Sequence, residues 1–244
     1  MVITSLCDNL ALPGFAAEHG LSLWIDTGKE RILFDFGQTD AYEANAQKLG
    51  IHLAEADFGF LSHGHYDHGG GLARFLAANS HAPVYLSPYA FEDHRNRLGN
   101  YIGLAPMESP RLLTRGCPGC HSSLWQGKFP IDTSGMTCQG QQEDFRHEQY
   151  LLLEDGGRRI LFSGCSHKGI FNLVEHFRPD ILVGGFHFMR WQSRQLLEDA
   201  AKRLLCYPCR YITCHCTGQE QYEILKQYMG ERITWLRAGQ SLTL

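Results

Sequence analysis

Residues 62–71 read Ser-His-Gly-His-Tyr-Asp-His-Gly-Gly-Gly, with three imidazoles and a carboxylate between positions 63 and 68. His63 and His65 lie two apart in a short extended loop, so both rings can converge on one ion from the same side. Asp67 and His68 are adjacent and point differently, which suits a second ion beside the first. Neutral imidazole with one carboxylate is a donor set that Zn²⁺, Fe²⁺ or Mn²⁺ accepts. The glycines at 64 and 69–71 let the backbone turn tightly around the ions. The bland alternative is a surface histidine cluster, or buried histidines satisfied by hydrogen bonds. The concentration of these residue types between a strand and a Gly-rich helix start speaks against it.

Elsewhere His215 ends a strand inside Cys214-His215-Cys216-Thr217-Gly218, and Cys165 and His167 share the loop Ser163-Gly164-Cys165-Ser166-His167. His-x-His-x-Asp-His resembles the signature of the metallo-β-lactamase superfamily. The surrounding residues resemble one branch of it, the 7,8-dihydropterin-6-methyl-4-(β-D-ribofuranosyl)aminobenzene-5'-phosphate synthase-like metal-dependent hydrolases. The likeness rests on Glu18-His19-Gly20-Leu21-Ser22, Leu33-Phe34-Asp35-x-Gly37-Gln38, Leu61 to His68, Ser163 to His167, Gly184-Gly185-Phe186-His187 and Cys214 to Gly218. Phe36 stands where that pattern usually has Thr.

The resemblance implies an α/β fold, an αββα four-layer sandwich spanning 1–244 as a single domain, with an irregular insert at about 98–140. It implies two divalent metal ions, Zn²⁺ first and Fe²⁺ or Mn²⁺ as alternatives, held by His63, His65, Asp67, His68, Cys165, His167 and His215. His215 occupies the place of the superfamily's last histidine, and Cys165 the place of its bridging aspartate. Either the Cys165 thiolate bridges or His167 ligates in its stead; a buried Cys165 acting as a small apolar residue is the alternative. The superfamily's middle histidine falls near His147 and Glu148, and neither spacing matches well. His19, His147 and His187 are expected to line the substrate site.

With two ions in place, the expected reaction is hydrolysis of an ester-type bond (phosphodiester, phosphate ester, lactone or thioester) by a metal-bound hydroxide. Asp67 and His187 are the expected catalytic residues, Asp67 orienting the nucleophile and His187 neutralising the developing oxyanion or binding phosphate. The competing functions are a pterin-related synthase, which the branch resemblance alone suggests, and a non-catalytic metal or thiol sensor. Di-iron redox members of the fold usually carry Glu at the position of His65 and a fused flavin domain, and this chain has neither.

The elements that must position these groups are legible as short β-rich runs broken by Gly. Val2–Leu6, Leu21–Asp26 and Arg31–Phe36 read as strands, with Thr27-Gly28-Lys29-Glu30 as a hairpin turn. Tyr42, Ala46 and Leu49 recur at helical spacing before Gly50. Phe58–Leu61 is a buried strand leading into the histidine loop, and Leu72–Ala78 a helix. The second half repeats the style. Strands are expected at Tyr150–Glu154, Arg159–Phe162, Ile181–Val183, Tyr211–Thr213 and Ile233–Leu236, and helices reaching Phe177 and spanning roughly Trp191–Leu205. Two β-rich halves carrying helices suggest two sheets face to face with helices outside.

Composition sets the remaining bounds. The 244 residues are 43% hydrophobic and 20% charged with a formal charge of -4, and neither Lys nor Arg forms a run, so nucleic-acid or membrane-surface partners are not expected. A small-molecule substrate and a homo-oligomer are. The first residues lack the basic start of a secretion signal and no run is long enough to span a bilayer, so a cytoplasmic protein is expected. Nine cysteines, several in Cys-x-x-Cys or Cys-x-Cys pairs, point to metal or thiol chemistry rather than disulfides. Cys117/Cys120 and Cys206/Cys209 could together make a Cys₄ zinc site. Cys214 and Cys216, alternating along a strand around His215, are expected to face away from it and to pack.

Overall fold

The computed structural model describes residues 1–96, 98–114, 122–127 and 147–244. The chain divides into two compact units, Met1–Cys120 with Leu236–Leu244, and His121–Trp235, each built on its own sheet.

In the first unit β1 (Val2–Cys7), β2 (Ser22–Asp26) and β3 (Arg31–Phe34) are antiparallel neighbours, and β4 (Phe58–Phe60), β5 (Val84–Tyr85) and β6 (Leu112–Leu113) continue parallel from β3. The hairpin turn forms as expected: Gly28 takes φ +80°, its amide donates to Asp26 Oδ1 (2.7 Å), and the Glu30 amide donates to Thr27 Oγ1 (2.8 Å). Helices α1 (Ala41–Lys48) and α3 (Leu72–Ala78) turn Tyr42, Ala46, Leu72 and Phe75 inward, and the short α2 (Tyr66–Gly69) buries Asp67 and His68. Phe36 is fully buried, its ring 5.3 Å from that of Phe75. A Cβ on Gly59 would lie 2.9 Å from the Phe36 ring, so the glycine of β4 makes the room. Burial of such a ring contributes about 1.5–3 kcal/mol, which accounts for Phe at this position.

In the second unit β7 (Ser122–Gly127), β8 (Glu148–Asp155) and β9 (Arg158–Ser163) are antiparallel, and β10 (Ile181–Gly184), β11 (Arg210–Thr213) and β12 (Ile233–Trp235) continue parallel from β9. Helices α4 (Ile170–Phe177), α5 (Arg194–Leu205) and α6 (Gln219–Met229) supply Val174, Leu197 and Leu225 to a core shared with Leu161, Leu182 and Tyr211. The α5 helix starts later than its apolar pattern suggests, because Ser193 caps it by accepting the Leu196 amide. The sequence pattern does not announce α6. Its inward row is Gln221, Leu225 and Met229, and the Gln, whose amide donates to the Trp191 carbonyl (2.9 Å), interrupts the apolar period.

β12 closes one edge of the second unit's sheet, and a further strand, β13 (Ser241–Thr243), returns to pair with β1 in the first unit. Strands β6 and β7 fall in the stretch expected to be irregular. β7 owes its form to a six-residue register with β8 rather than to a pattern of its own. Cys117, Cys120, His121 and Cys138 lie outside the described residues. No helix among the described residues is long and apolar enough to cross a membrane. In each sheet the parallel strands carry their carboxyl ends to one edge, the usual place for a site in such sheets.

Candidate metal centre

In the first unit Asp35 directly follows β3, and the histidine loop follows β4. Asp35 is fully buried, in the left-handed region at φ +56°, and its carboxylate organises the loop after β4. Its Oδ1 accepts the Ser62 amide (2.7 Å), while Oδ2 accepts the Ser62 hydroxyl (2.8 Å) and stands 2.7 Å from His68 Nδ1. Burial pushes the Asp35 carboxyl up, opposed by the His68 and Ser62 interactions.

These bonds fix the positions of the protons. Ser62 Oγ has one proton and gives it to Asp35, so at 2.9 Å from His63 Nδ1 it accepts from that nitrogen. His68 Nδ1 donates to the carboxylate directly. Both rings therefore carry their proton on Nδ1 and present Nε2 as a lone pair, the tautomer that a carboxylate behind a ligating histidine enforces. His63 Nε2 lies 3.0 Å from His65 Nδ1, and the His63 and His68 ring centres are 4.2 Å apart. Asp67 Oδ2 is 3.2 Å from His19 Nε2, whose other nitrogen meets Asn9 (3.3 Å). Lone-pair imidazole nitrogens of this kind are donors that a divalent transition ion accepts.

Glycines let this loop exist. A Cβ at Gly64 would fall 1.9 Å from the Ala90 carbonyl oxygen, and at Gly70 2.2 Å from that of Gln38. Replacing Gly64 with alanine is expected to cost at least about 1–3 kcal/mol, as overpacking does. Urea unfolding checks this, and an unchanged midpoint would mean that the loop accommodates the methyl. The same close approach brings in a residue that the sequence does not single out. His94 is buried, with its ring 5.1 Å from that of His65 and nearly perpendicular to it.

In the second unit the carboxyl ends of β9, β10 and β11 carry Cys165 to His167, His187, and His215 with Cys216. Ser166, His187 and His215 all adopt left-handed backbone, at φ +57°, +59° and +48°. Such conformations cost of order 1–3 kcal/mol each and concentrate where side chains must be aimed. The loop after β9 is held by Glu148, whose Oε1 accepts the amides of Cys165 (2.8 Å) and Ser166 (3.0 Å) and whose Oε2 accepts that of His167 (2.6 Å) and the Tyr150 hydroxyl (2.7 Å). Glu148, weighed from sequence as a possible ligand, thus uses its carboxylate on main-chain amides. His147 beside it is half-buried. The His167 and His187 rings meet edge to face at 4.6 Å.

One reading of the cysteines changes. Cys216 does not face away from His215, because residues 215–217 form a turn of 3₁₀ helix and strand alternation does not apply. Donor atoms of Cys165, His215 and Cys216 all lie within 4.8 Å of one another. Cys206 and Cys209 each donate to a main-chain carbonyl (3.4 Å), and burial pushes the Cys209 thiol up to about 12. Cys214 is buried, in keeping with a packing role.

Asp35 and His94 are the functional candidates that the residue pattern does not rank. For Asp35 a signal was present, since a carboxylate inside the apolar run Leu33-Phe34-Asp35-Phe36 is a buried charge in need of partners.

A family model of the metallo-beta-lactamase superfamily matches residues 17–133. Over 253 residues the chain is 30% identical to an uncharacterized protein of Methanocaldococcus jannaschii, covering 93% of this chain and 94% of that one. A second protein of that organism, 7,8-dihydropterin-6-methyl-4-(beta-D-ribofuranosyl)-aminobenzene-5'-phosphate synthase, is 24% identical over 267 residues, covering 93% of this chain and 90% of its own. Among solved structures, Tm1679, described as a metal-dependent hydrolase of the beta-lactamase superfamily, superposes with a TM-score of 0.77 at 28% identity over 100% of this chain and 99% of that one.

Proposed function

We propose that this chain, which belongs to the metallo-beta-lactamase superfamily and has its fold, is a metal-dependent hydrolase of an ester-type bond: a phosphodiester, phosphate ester, lactone or thioester. The observation that carries the reading is the tautomer-locked pair His63 and His68, both presenting Nε2 because Asp35 and Ser62 hold the other nitrogen. The proposed donors to two divalent cations are His63, His65, Asp67, His68, Cys165, His167 and His215. Zn²⁺ is the first candidate, with Fe²⁺ and Mn²⁺ as alternatives. A divalent cation held there supplies Lewis acidity and a nucleophile at neutral pH.

The chain's own groups do the rest. Asp35 fixes the orientation of two rings so that little reorganisation accompanies binding. Asp67, steadied by His19, orients the attacking water. His187, held at its strand end by a left-handed backbone, donates to the oxygen on which negative charge develops. His19 and His147 are proposed as substrate contacts. The similarity to a metal-dependent hydrolase over the whole chain supports this reading.

Stripping the purified protein with a chelator is expected to remove hydrolysis of chromogenic phosphate esters, phosphodiesters, thioesters or lactones, and reloading with Zn²⁺, Mn²⁺ or Fe²⁺ to restore it. A fully loaded protein that turns over none of these panels would sink the proposal. A second reading, a pterin-related synthase, is favoured by the name of the relative at 24% identity. Formation of a condensed product from a pterin and a phosphorylated aromatic riboside, with no hydrolysis, would select it.

A further inference from the structure

We propose that Cys216 joins Cys165 and His215 to make a two-thiolate, one-imidazole donor set in the second unit, one that takes a soft divalent ion such as Zn²⁺ in preference to Mn²⁺ or Mg²⁺. The inference rests on the metal-dependent reading above and deepens it, because it names which ion that unit selects and why. Its first support is proximity. The two sulfurs and a ring nitrogen of His215 all lie within 4.8 Å of one another, and all three residues are buried.

The second support is that the fold makes specific room for the extra sulfur. A Cβ on Gly185 would fall 2.3 Å from Cys216 Sγ, so a side chain at 185 and this thiol position exclude each other. Gly185 in turn is fixed from both sides. Its amide donates to the Gly164 carbonyl (3.0 Å), and its carbonyl accepts the Ser166 hydroxyl (2.6 Å). The next amide, of Phe186, donates to Thr217 Oγ1 (2.9 Å). These bonds tie the ends of β9, β10 and β11 together and leave Cys216 Sγ 3.7 Å from the Cys165 carbonyl. Turning the chain at His215 through φ +48° is what brings position 216 to the same side as 215.

The ion preference comes from charge and softness. Two thiolates and a neutral imidazole carry two negative charges, which a divalent ion neutralises. Thiolate donors select Zn²⁺ or Co²⁺ over oxygen-seeking Mg²⁺ and Mn²⁺. Ion binding and loss of both thiol protons are coupled, so metal uptake should release protons.

Co²⁺ titration of the metal-free full-length protein tests this, because thiolate-to-cobalt charge transfer absorbs in the near ultraviolet whether or not a substrate is turned over. The expected result is a band that falls by about half in Cys216→Ser and in Cys165→Ser, is lost in the double variant, and is unchanged in Cys214→Ser. A Cys216→Ser variant that folds, by its thermal melt, and keeps the full band overturns the proposal. The parent protein loaded with ¹¹³Cd²⁺ supplies a second measurement that needs no substitution. A resonance coupled to the β-protons of both Cys165 and Cys216 supports the set, and its absence from cadmium-loaded protein overturns it. Failure of the hydrolase reading is distinguishable. Sulfur ligation without ester hydrolysis would leave this site standing, whereas hydrolysis with no sulfur band would remove it alone.

Discussion

Alanine at Asp67 is expected to lower kcat/KM on any responsive ester by at least about 10³-fold, the scale on which loss of a preorganised electrostatic group at a reacting centre is felt. Asp67 is buried, adjacent to His68, and carries on Oδ2 the contact with His19, so its removal takes away a proposed donor to the cation and the group proposed to orient water. The fold should survive. The backbone carbonyl of Asp67, which accepts the Leu21 amide (3.1 Å), is untouched by the substitution. The comparison is therefore between metal-loaded parent and metal-loaded variant with matched thermal melts. Full activity in the variant would remove Asp67 from the mechanism.

The second large effect is expected from the near-isosteric change Asp35→Asn. An amide can still accept the Ser62 main-chain bond, and Asn tolerates left-handed backbone better than most residues. What it reverses is the direction of the bond to His68. If the NH₂ group of Asn faces Nδ1, that nitrogen must become an acceptor, the ring proton moves to Nε2, and the lone pair that should meet the cation is gone. Metal affinity should fall by about 10–100-fold, as it does when the group behind a ligating histidine is changed. The loss of stability should be much smaller than for Asp35→Ala, which leaves the buried Ser62 and His68 donors unsatisfied at about 1–3 kcal/mol each. Competition against a chelating dye measures the first quantity and urea unfolding the second. Unchanged metal affinity in the Asn variant would show that Asp35 is a folding residue only.

Among the parts of this protein that could be read in advance, the strands were the plainest, because Ile32–Phe34, Phe58–Leu61 and Ile181–Val183 are short apolar runs, each beginning directly after a charged residue (Arg31, Asp57 and Asp180). Helix α6 was hidden because one of its inward positions is a glutamine whose partner, the Trp191 carbonyl, lies 30 residues away. β7 was hidden because its register comes from β8. The pattern in a segment records only what that segment buries by itself, and pairing partners from elsewhere leave no mark on it.

The same division holds at the candidate centre. Residue type and spacing alone gathered three imidazoles and a carboxylate within residues 63–68, since groups two and three apart in one loop need no distant partner to come together. Tertiary structure decided the rest. It set the tautomers of His63 and His68 through the carboxylate of Asp35 at the end of a neighbouring strand, engaged Glu148 with the amides of 165–167, and turned Cys216 toward His215 by a left-handed step. Proton positions and side-chain direction depend on which groups a buried atom meets, and burial is a property of the fold rather than of any short stretch of chain.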